Sequence, residues 1–352
     1  MRCLQSPFVD ELERAESILL AGAGGGFDIF SGLPLYFGLR AAGKRVHLAN
    51  LSFSHLDSAT GRRLAPATLE VTAGSTVSAG YFPEFHLCRW FRRQGEEMPI
   101  YCFDRTGMQP LLEGYQALVA ELKIDAVVLI DGGTDSLMRG DEAGLGTPEE
   151  DVVSIAAVDE LDVPAKYLVC LGFGVDAFHG VCHAHALEAV AELTRGGGFL
   201  GVLSLLQGMP EVQRYVEATE AVLENMPDHP SIVSCSILSA LEGKYGDHHR
   251  TARTGGSKLW INPLMTLYWC FRLGSVASRI RYLHLVKRTR TQWDLIRAIE
   301  EFRDHCTARR ARTVLPDASF DRPSCGERFP LQRGQGQACL ALVARTRSPR
   351  FE

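Results

Sequence analysis

Several signatures are missing from this chain, and each absence excludes a class of protein. Its ten cysteines, at positions 3, 88, 102, 170, 182, 235, 270, 306, 325 and 339, include no Cys-x-x-Cys pair. That spacing excludes a zinc ribbon or a thioredoxin-type redox motif. No apolar run approaches the roughly 18 residues that span a bilayer. The net charge of −5 lacks the basic balance expected of general nucleic-acid binding. There is no internal repeat and no low-complexity segment. The opening residues, MRCLQSPFVDELERAE, are acidic and carry no apolar signal-peptide core. These absences lead us to expect a reduced, cytoplasmic setting, with neither membrane nor nucleic acid as partner.

What is present is an alternation of strand-like and helix-like segments. The chain has 352 residues, 46% of them hydrophobic, enough for one large core. A strand from Ser17, then Arg45–Leu51, Pro99–Asp104, Asp125–Ile130, Lys166–Gly172 and Gly198–Leu203 are apolar without alternation. Ser231–Leu238 reads as a last strand. Helices are expected over Val9–Glu16, after the first glycines, from Pro83 to Arg93, over Pro110–Leu122, from Pro148, and over Ala177–Thr194 and Pro210–Asn225. Leu69–Gly80 reads as a loop or hairpin beyond the sheet edge. The pattern predicts an α/β fold of three layers, Rossmann-like, with a mostly parallel sheet and helices on both faces. Residues 1–305 would form one nucleotide-pocket domain. Its helical end begins at about 258 and includes an aromatic segment from Pro263 and a basic helix near Trp293–Arg303. An Arg-rich tail, 306–352, follows, with one added strand over Ala338–Ala344.

Four stretches carry chemistry. The first is the glycine cluster Gly22, Gly24, Gly25 and Gly26 between strand and helix, followed by Asp28. Glycines there let backbone N–H groups approach a phosphate, with the helix dipole behind them. Asp28 is either a cap or a proton-transfer group. Phe27 stands where the third glycine of the dinucleotide fingerprint belongs, and the second strand ends in Asn50 rather than the ribose-binding acid. No Gly-Lys-Ser/Thr follows, which excludes a Walker A loop. The second stretch, IDGGTDSLMRGDE, leaves a strand at its carboxyl end. Asp131, Asp135, Asp141 and Glu142 supply hard oxygen ligands for Mg²⁺ or Ca²⁺. Gly132, Gly133, Thr134 and Ser136 offer a second cradle, and Arg139 offers a bidentate anion contact. In the third, FHGVCHAHA, His179 and His183 share a face if the segment is one helix, and His179 is a candidate proton carrier. The fourth, HHRTARTGGS, makes Arg250 and Arg253 candidates for an anion-binding lid.

Three resemblances attach to these stretches. The Asp131 stretch resembles in general style the Asp-rich motif of nucleoside hydrolases, D-x-D-x-x-x-D-D, with Gly133 in place of the second acid. AGAGGGFDIFSGLP is similar to the sirtuin loop GAG-x-S-x-x-S-G-I-P-D-F-R, matching at Gly22, Ala23, Gly24, Ser31, Gly32 and Pro34. The sirtuin Gln-Asn-x-Asp motif and zinc cysteines are absent, so this likeness implies a sirtuin-like pocket shape and not deacylation. Over nearly its whole length the chain resembles an uncharacterised microbial family. The hallmarks of that family are a Gly-Gly-Gly-x-Asp loop, here Gly24–Asp28, and an Asp-Gly-Gly-x-Asp-Ser loop, here Asp131–Ser136.

The leading expectation is an enzyme that hydrolyses or transfers a group on a nucleotide, nucleoside or phosphorylated sugar, aided by a divalent metal. In it Gly24–Gly26 meet phosphate, Asp131 and Asp135 hold ribose hydroxyls or the ion, and Asp28 or His179 moves a proton. Its partner is a small anionic ligand, and the chain is a candidate homo-oligomer. The alternatives are an NAD(P)-dependent oxidoreductase and a non-catalytic nucleotide sensor.

Overall fold

Ile18, Leu19, Leu20 and Ala21 are all fully buried. A strand that is apolar at every position has to be covered on both faces, and this one lies at the middle of a sheet. The computed structural model describes residues 6–78 and 80–309. Among them, nine strands form one sheet: β1 (Ser17–Gly22), β2 (Arg45–Leu51), β3 (Arg62–Ala65), β4 (Thr68–Val71), β5 (Ile100–Phe103), β6 (Ala126–Asp131), β7 (Ala165–Cys170), β8 (Phe199–Ser204) and β9 (Leu267–Arg272). Their spatial order is β3-β4-β5-β2-β1-β6-β7-β9-β8. Strands β5, β2, β1, β6 and β7 run parallel, while β4 and β9 are antiparallel to their neighbours.

Two apolar cores lie on opposite sides of this sheet. Helices α1 (Pro7–Leu12), α2 (Asp28–Ser31), α3 (Leu33–Ala41) and α4 (Pro83–Arg93) cover one face. Helices α5 (Met108–Leu122), α6 (Pro148–Asp159) and α7 (His183–Arg195) cover the other. The chain then returns to the first face with α8 (Pro210–Asn225) and α9 (Ile232–Leu241). It finishes on the second with α10 (Leu273–Ala277), α11 (Leu283–Val286) and α12 (Gln292–Asp304). The architecture is the expected α/β one, a mostly parallel sheet between helical layers compatible with a Rossmann-like fold. No helix among the described residues is long and apolar enough to cross a membrane.

Four local expectations are corrected. Ser231–Leu238 is helical: the Ser231 side chain accepts a hydrogen bond from the Ser234 amide, and this cap starts α9. The segment after Pro263 contributes strand β9 rather than a helix. Tyr268 and Cys270 enter one core and Phe271 the other, the two-residue period of a strand. Leu69–Gly80 begins inside the sheet, because β4 pairs with β5. Finally, Ala177–Thr194 is two pieces, a 3-10 turn over Val175–His179 and then α7, separated at Gly180 with φ +83°. That break separates His179 from the helix face carrying His183, whose ring packs on Trp260. The strand expected over Ala338–Ala344 lies outside the described residues.

Candidate functional site

From β1 the chain crosses to β2 on one side, while β6 occupies the other side of β1. A crevice opens at the carboxyl ends of strands where the winding direction reverses in this way. The register pairs Gly22 with Ile130, and the Ala23 amide donates to the Ile130 carbonyl at 2.8 Å. The loops leaving β1 and β6 therefore stand side by side over one cavity of about 270 Å³.

Carboxylates dominate that cavity. Asp28 opens α2, Asp131 ends β6, and Asp151 lies in the first turn of α6. One ligand oxygen from each lies within 4.8 Å of the other two, and among the described residues no other such acid, histidine or cysteine cluster occurs. The Gly24 amide donates to Asp28 Oδ2 at 2.7 Å. The amide of Ser136 donates to Asp131 Oδ2 at 3.3 Å, and its hydroxyl donates to the same atom. Asp151 is only 3% exposed, yet its Oδ1 has no hydrogen-bond partner among the described residues.

Two further aspartates are held in the same way. Asp135 Oδ2 accepts from the Thr147 amide at 2.9 Å and hydroxyl at 3.2 Å. Asp176 Oδ2 accepts from the Thr134 amide at 2.6 Å and hydroxyl at 3.3 Å. Glu150 completes a set of six acids lining the cavity. Burial pushes Asp28, Asp131, Asp151 and Asp176 well above the usual carboxylate range, and repulsion from neighbouring acids adds to it. Burial also raises Asp135, and it lifts Glu150 to about 8 with help from the Glu149 charge. Buried carboxylates that outnumber the cationic groups around them must keep protons or receive a metal.

The sequence profile of a family described as proteins of unknown function (DUF1152) matches residues 61–307. The chain belongs to that family. No curated protein gives a significant match. The part shared with DUF1152 proteins carries Asp131, Asp135, Asp151 and Asp176, while the glycine loop and Asp28 precede it.

Three glycines of this DUF1152 protein, Gly24, Gly132 and Gly133, make room for the acids. A Cβ on Gly24 would come within 2.7 Å of Asp151 Oδ1 and 2.9 Å of Asp28 Oδ2. One on Gly132 would come within 2.7 Å of Asp28 Oδ1, and one on Gly133 within 2.6 Å of Asp176 Oδ1. A Cβ on Gly22 would overlap the Asn50 side chain. Gly25 and Gly26 have φ of +91° and +59°, which only glycine adopts readily. The sequence suggests that the Gly24–Gly26 amides face a phosphate. Of these, the Gly24 amide donates to Asp28 Oδ2 and that of Gly26 donates to the Leu51 carbonyl at 3.2 Å.

The other predicted residues divide between the cavity and elsewhere. Asp28, Asp131, Asp135, Gly132, His179 and Arg253 line it. Thr134 and Ser136 support it through their aspartates. Asn50 is buried beneath it, donating to the Gly26 carbonyl and to Glu84 Oε1, both at 2.8 Å. Asp141 and Glu142 are not among its lining residues. They pair with Arg309, and Asp141 also with Arg139 and Arg281, so the expected metal set of Asp131, Asp135, Asp141 and Glu142 does not assemble. Arg139 is committed to Asp141 and Glu192, and Arg250 to Glu220 and Glu242.

Sequence reasoning overlooked Asp176 and placed Glu150 and Asp151 only within the helix expected from Pro148. An aromatic wall was also missed: Phe27, Phe53, Tyr81 and the His229 ring line the same cavity. The one signal available was the run Glu149-Glu150-Asp151, more acid than a helix N-terminus requires.

Proposed function

We propose that this protein is a divalent-cation-dependent enzyme that hydrolyses, or transfers a group from, a ligand of the nucleotide, nucleoside or phosphorylated-sugar class. The observation that carries this reading is the Asp28–Asp131–Asp151 cluster, with oxygens within 4.8 Å of one another and Asp151 Oδ1 buried without a partner. An all-carboxylate donor set suits hard cations such as Mg²⁺ or Ca²⁺. A cation held there would stabilise charge developing on a reacting oxygen and lower the pKa of a bound water. Around it, Asp135 is fixed by Thr147 and His179 stands at the cavity wall; these two are the groups positioned to take or return a proton. The oxidoreductase reading finds no comparable support, because Asn50, at the ribose-acid position, is consumed by Gly26 and Glu84.

Melting curves of the full chain with Mg²⁺, Ca²⁺ and Mn²⁺ test the reading, since a cation that binds only the folded state raises the midpoint. The Asp131→Asn, Asp135→Asn double variant should lose that rise together with turnover. Full activity in the double variant would sink the assignment.

A further inference from the structure

Three features of the cavity narrow the ligand, given the cation site proposed above. Amides at strand ends and helix starts are the usual means of meeting a phosphate. Four of those in and beside this cavity are already occupied by the protein's own acids. Gly24 donates to Asp28, Thr134 to Asp176, Ser136 to Asp131 and Thr147 to Asp135. Charge points the same way. Six carboxylates line the cavity against a single arginine, Arg253, which is exposed and donates to the Pro230 carbonyl. Where those acids are ionised, one divalent cation neutralises only part of their charge, and a phosphate dianion would enter against the remainder.

The third feature is the aromatic part of the lining. The Phe53 ring packs over Gly25 and Gly26, so closely that a Cβ on Gly25 would come within 2.6 Å of it. Tyr81 lies beside Phe27 at 6.3 Å and meets His229 edge-on at 5.8 Å, measured between ring centroids. A carboxylate floor and an aromatic wall make a two-part pocket. The floor selects neutral hydroxyls that bridge to a cation or donate to carboxylates, and the wall selects a flat ring that stacks. A volume of about 270 Å³ lies near the lower end of small-ligand pockets, roughly 300–1,000 Å³, which favours a compact ligand.

We propose that the ligand is an unphosphorylated nucleoside, its ribose hydroxyls on the cation held by Asp28, Asp131 and Asp151 and its base against Phe53 and Tyr81. This rests on the cation-site reading, and the test separates the two. Calorimetric titration of the full chain with CaCl₂ or MnCl₂ alone comes first; absence of any binding would defeat the cation site itself. With the cation saturating, the common ribonucleosides are then compared with their 5′-monophosphates, their 2′-deoxy forms and ribose 5-phosphate. At least one ribonucleoside should bind ten times or more tighter than its 5′-monophosphate, and ten times or more tighter than its 2′-deoxy form. Phe53→Ala should weaken nucleoside binding about tenfold while leaving cation affinity unchanged. Cation binding with no nucleoside binding would overturn the proposal while sparing the cation site. So would a monophosphate or ribose 5-phosphate binding as tightly as the nucleoside.

Discussion

Asp131 and Asp135 enter the cavity supported by Ser136 and Thr147, neutral donors that orient a carboxylate without cancelling its charge. A few residues along the same loop, Asp141 and Glu142 are also buried, but there the arginines converge. Arg139, Arg281 and Arg309 reach Asp141 at 2.9, 2.7 and 2.9 Å, and Arg309 reaches Glu142 at 2.8 Å. Burial pushes the Asp141 carboxyl up, but the bonds and charge of Arg139, with Arg309 beside it, outweigh that and hold it at about 2. Asp131 is moved the opposite way by burial and by the Asp135 and Asp28 charges. Matched counter-charge marks the acids that hold the structure together. Missing counter-charge marks the acids available to something from outside.

The largest effect should come from exchanging one acid in each region. Asp151→Asn should weaken divalent-cation binding by about a hundredfold, comparable to the loss of a supporting metal ligand. In cation-free buffer it should melt above the parent, because one fewer titratable acid is crowded into the buried cluster. Asp141→Asn should leave cation affinity intact and cost roughly 2 kcal/mol, since it breaks charge-assisted bonds from three partly exposed arginines to a buried carboxylate. Calorimetry and thermal melts read both, and shifts of the same sign in the two variants would break the comparison.

A glycine substitution should act next most strongly. Gly24→Ala puts a methyl 2.7 Å from Asp151 Oδ1, costing about 1–3 kcal/mol of overpacking and spreading the acids that face the cation. A cation titration that matches the parent would contradict the role given to this glycine.

The pH dependence sharpens the contrast further. Burial raises Glu150 to about 8 and Glu84 to about 7 from an ordinary 4.5, so both hold protons more tightly folded than unfolded. Their stabilising contribution is complete below pH 4.5 and is lost as pH rises toward 8. Asp141, lowered from 3.8 to about 2, contributes stability above pH 3.8 that disappears as pH falls through 2. Melting midpoints in a chelator should therefore fall between pH 5 and 8, with the decline reduced by saturating cation. A midpoint that climbs over that range in chelator would contradict the assignment. The smallest effect is expected from Arg309→Ala. About a third of that side chain is exposed, and its loss should cost about 1 kcal/mol without touching cation affinity.

Much of the fold was legible because it depends on short-range pattern. Apolar runs too continuous for a one-sided sheet marked β1, β2, β6 and β7, and the Pro83, Pro148 and Pro210 starts marked α4, α6 and α8. The failures came where local preference and packing disagree. Ser231–Leu238 has strand-like composition but a serine cap and two-sided burial, and tertiary packing made it a helix. Leu267–Arg272 took the opposite course because β7 and β8 leave a place between them that only a strand can pair. Half of the site was equally legible: strand-end glycines and Asp131 pointed to the crevice. Asp151 and Asp176 were not, because neither sits in a motif.

The sequence by itself determined that the chain is α/β, that its glycine turn follows the first strand, and that an acidic loop leaves a central one. Those are properties of residues close together in the chain. Only the tertiary structure decided what the glycines are for. Asp28 and Asp151 come together because β1 and β6 pair in parallel register and α6 packs against that end of the sheet. Their oxygens then occupy the space that side chains on Gly24 and Gly132 would have filled. At Gly24 the turn is shaped around the protein's own carboxylates, because its amide already meets a strong acceptor within the fold.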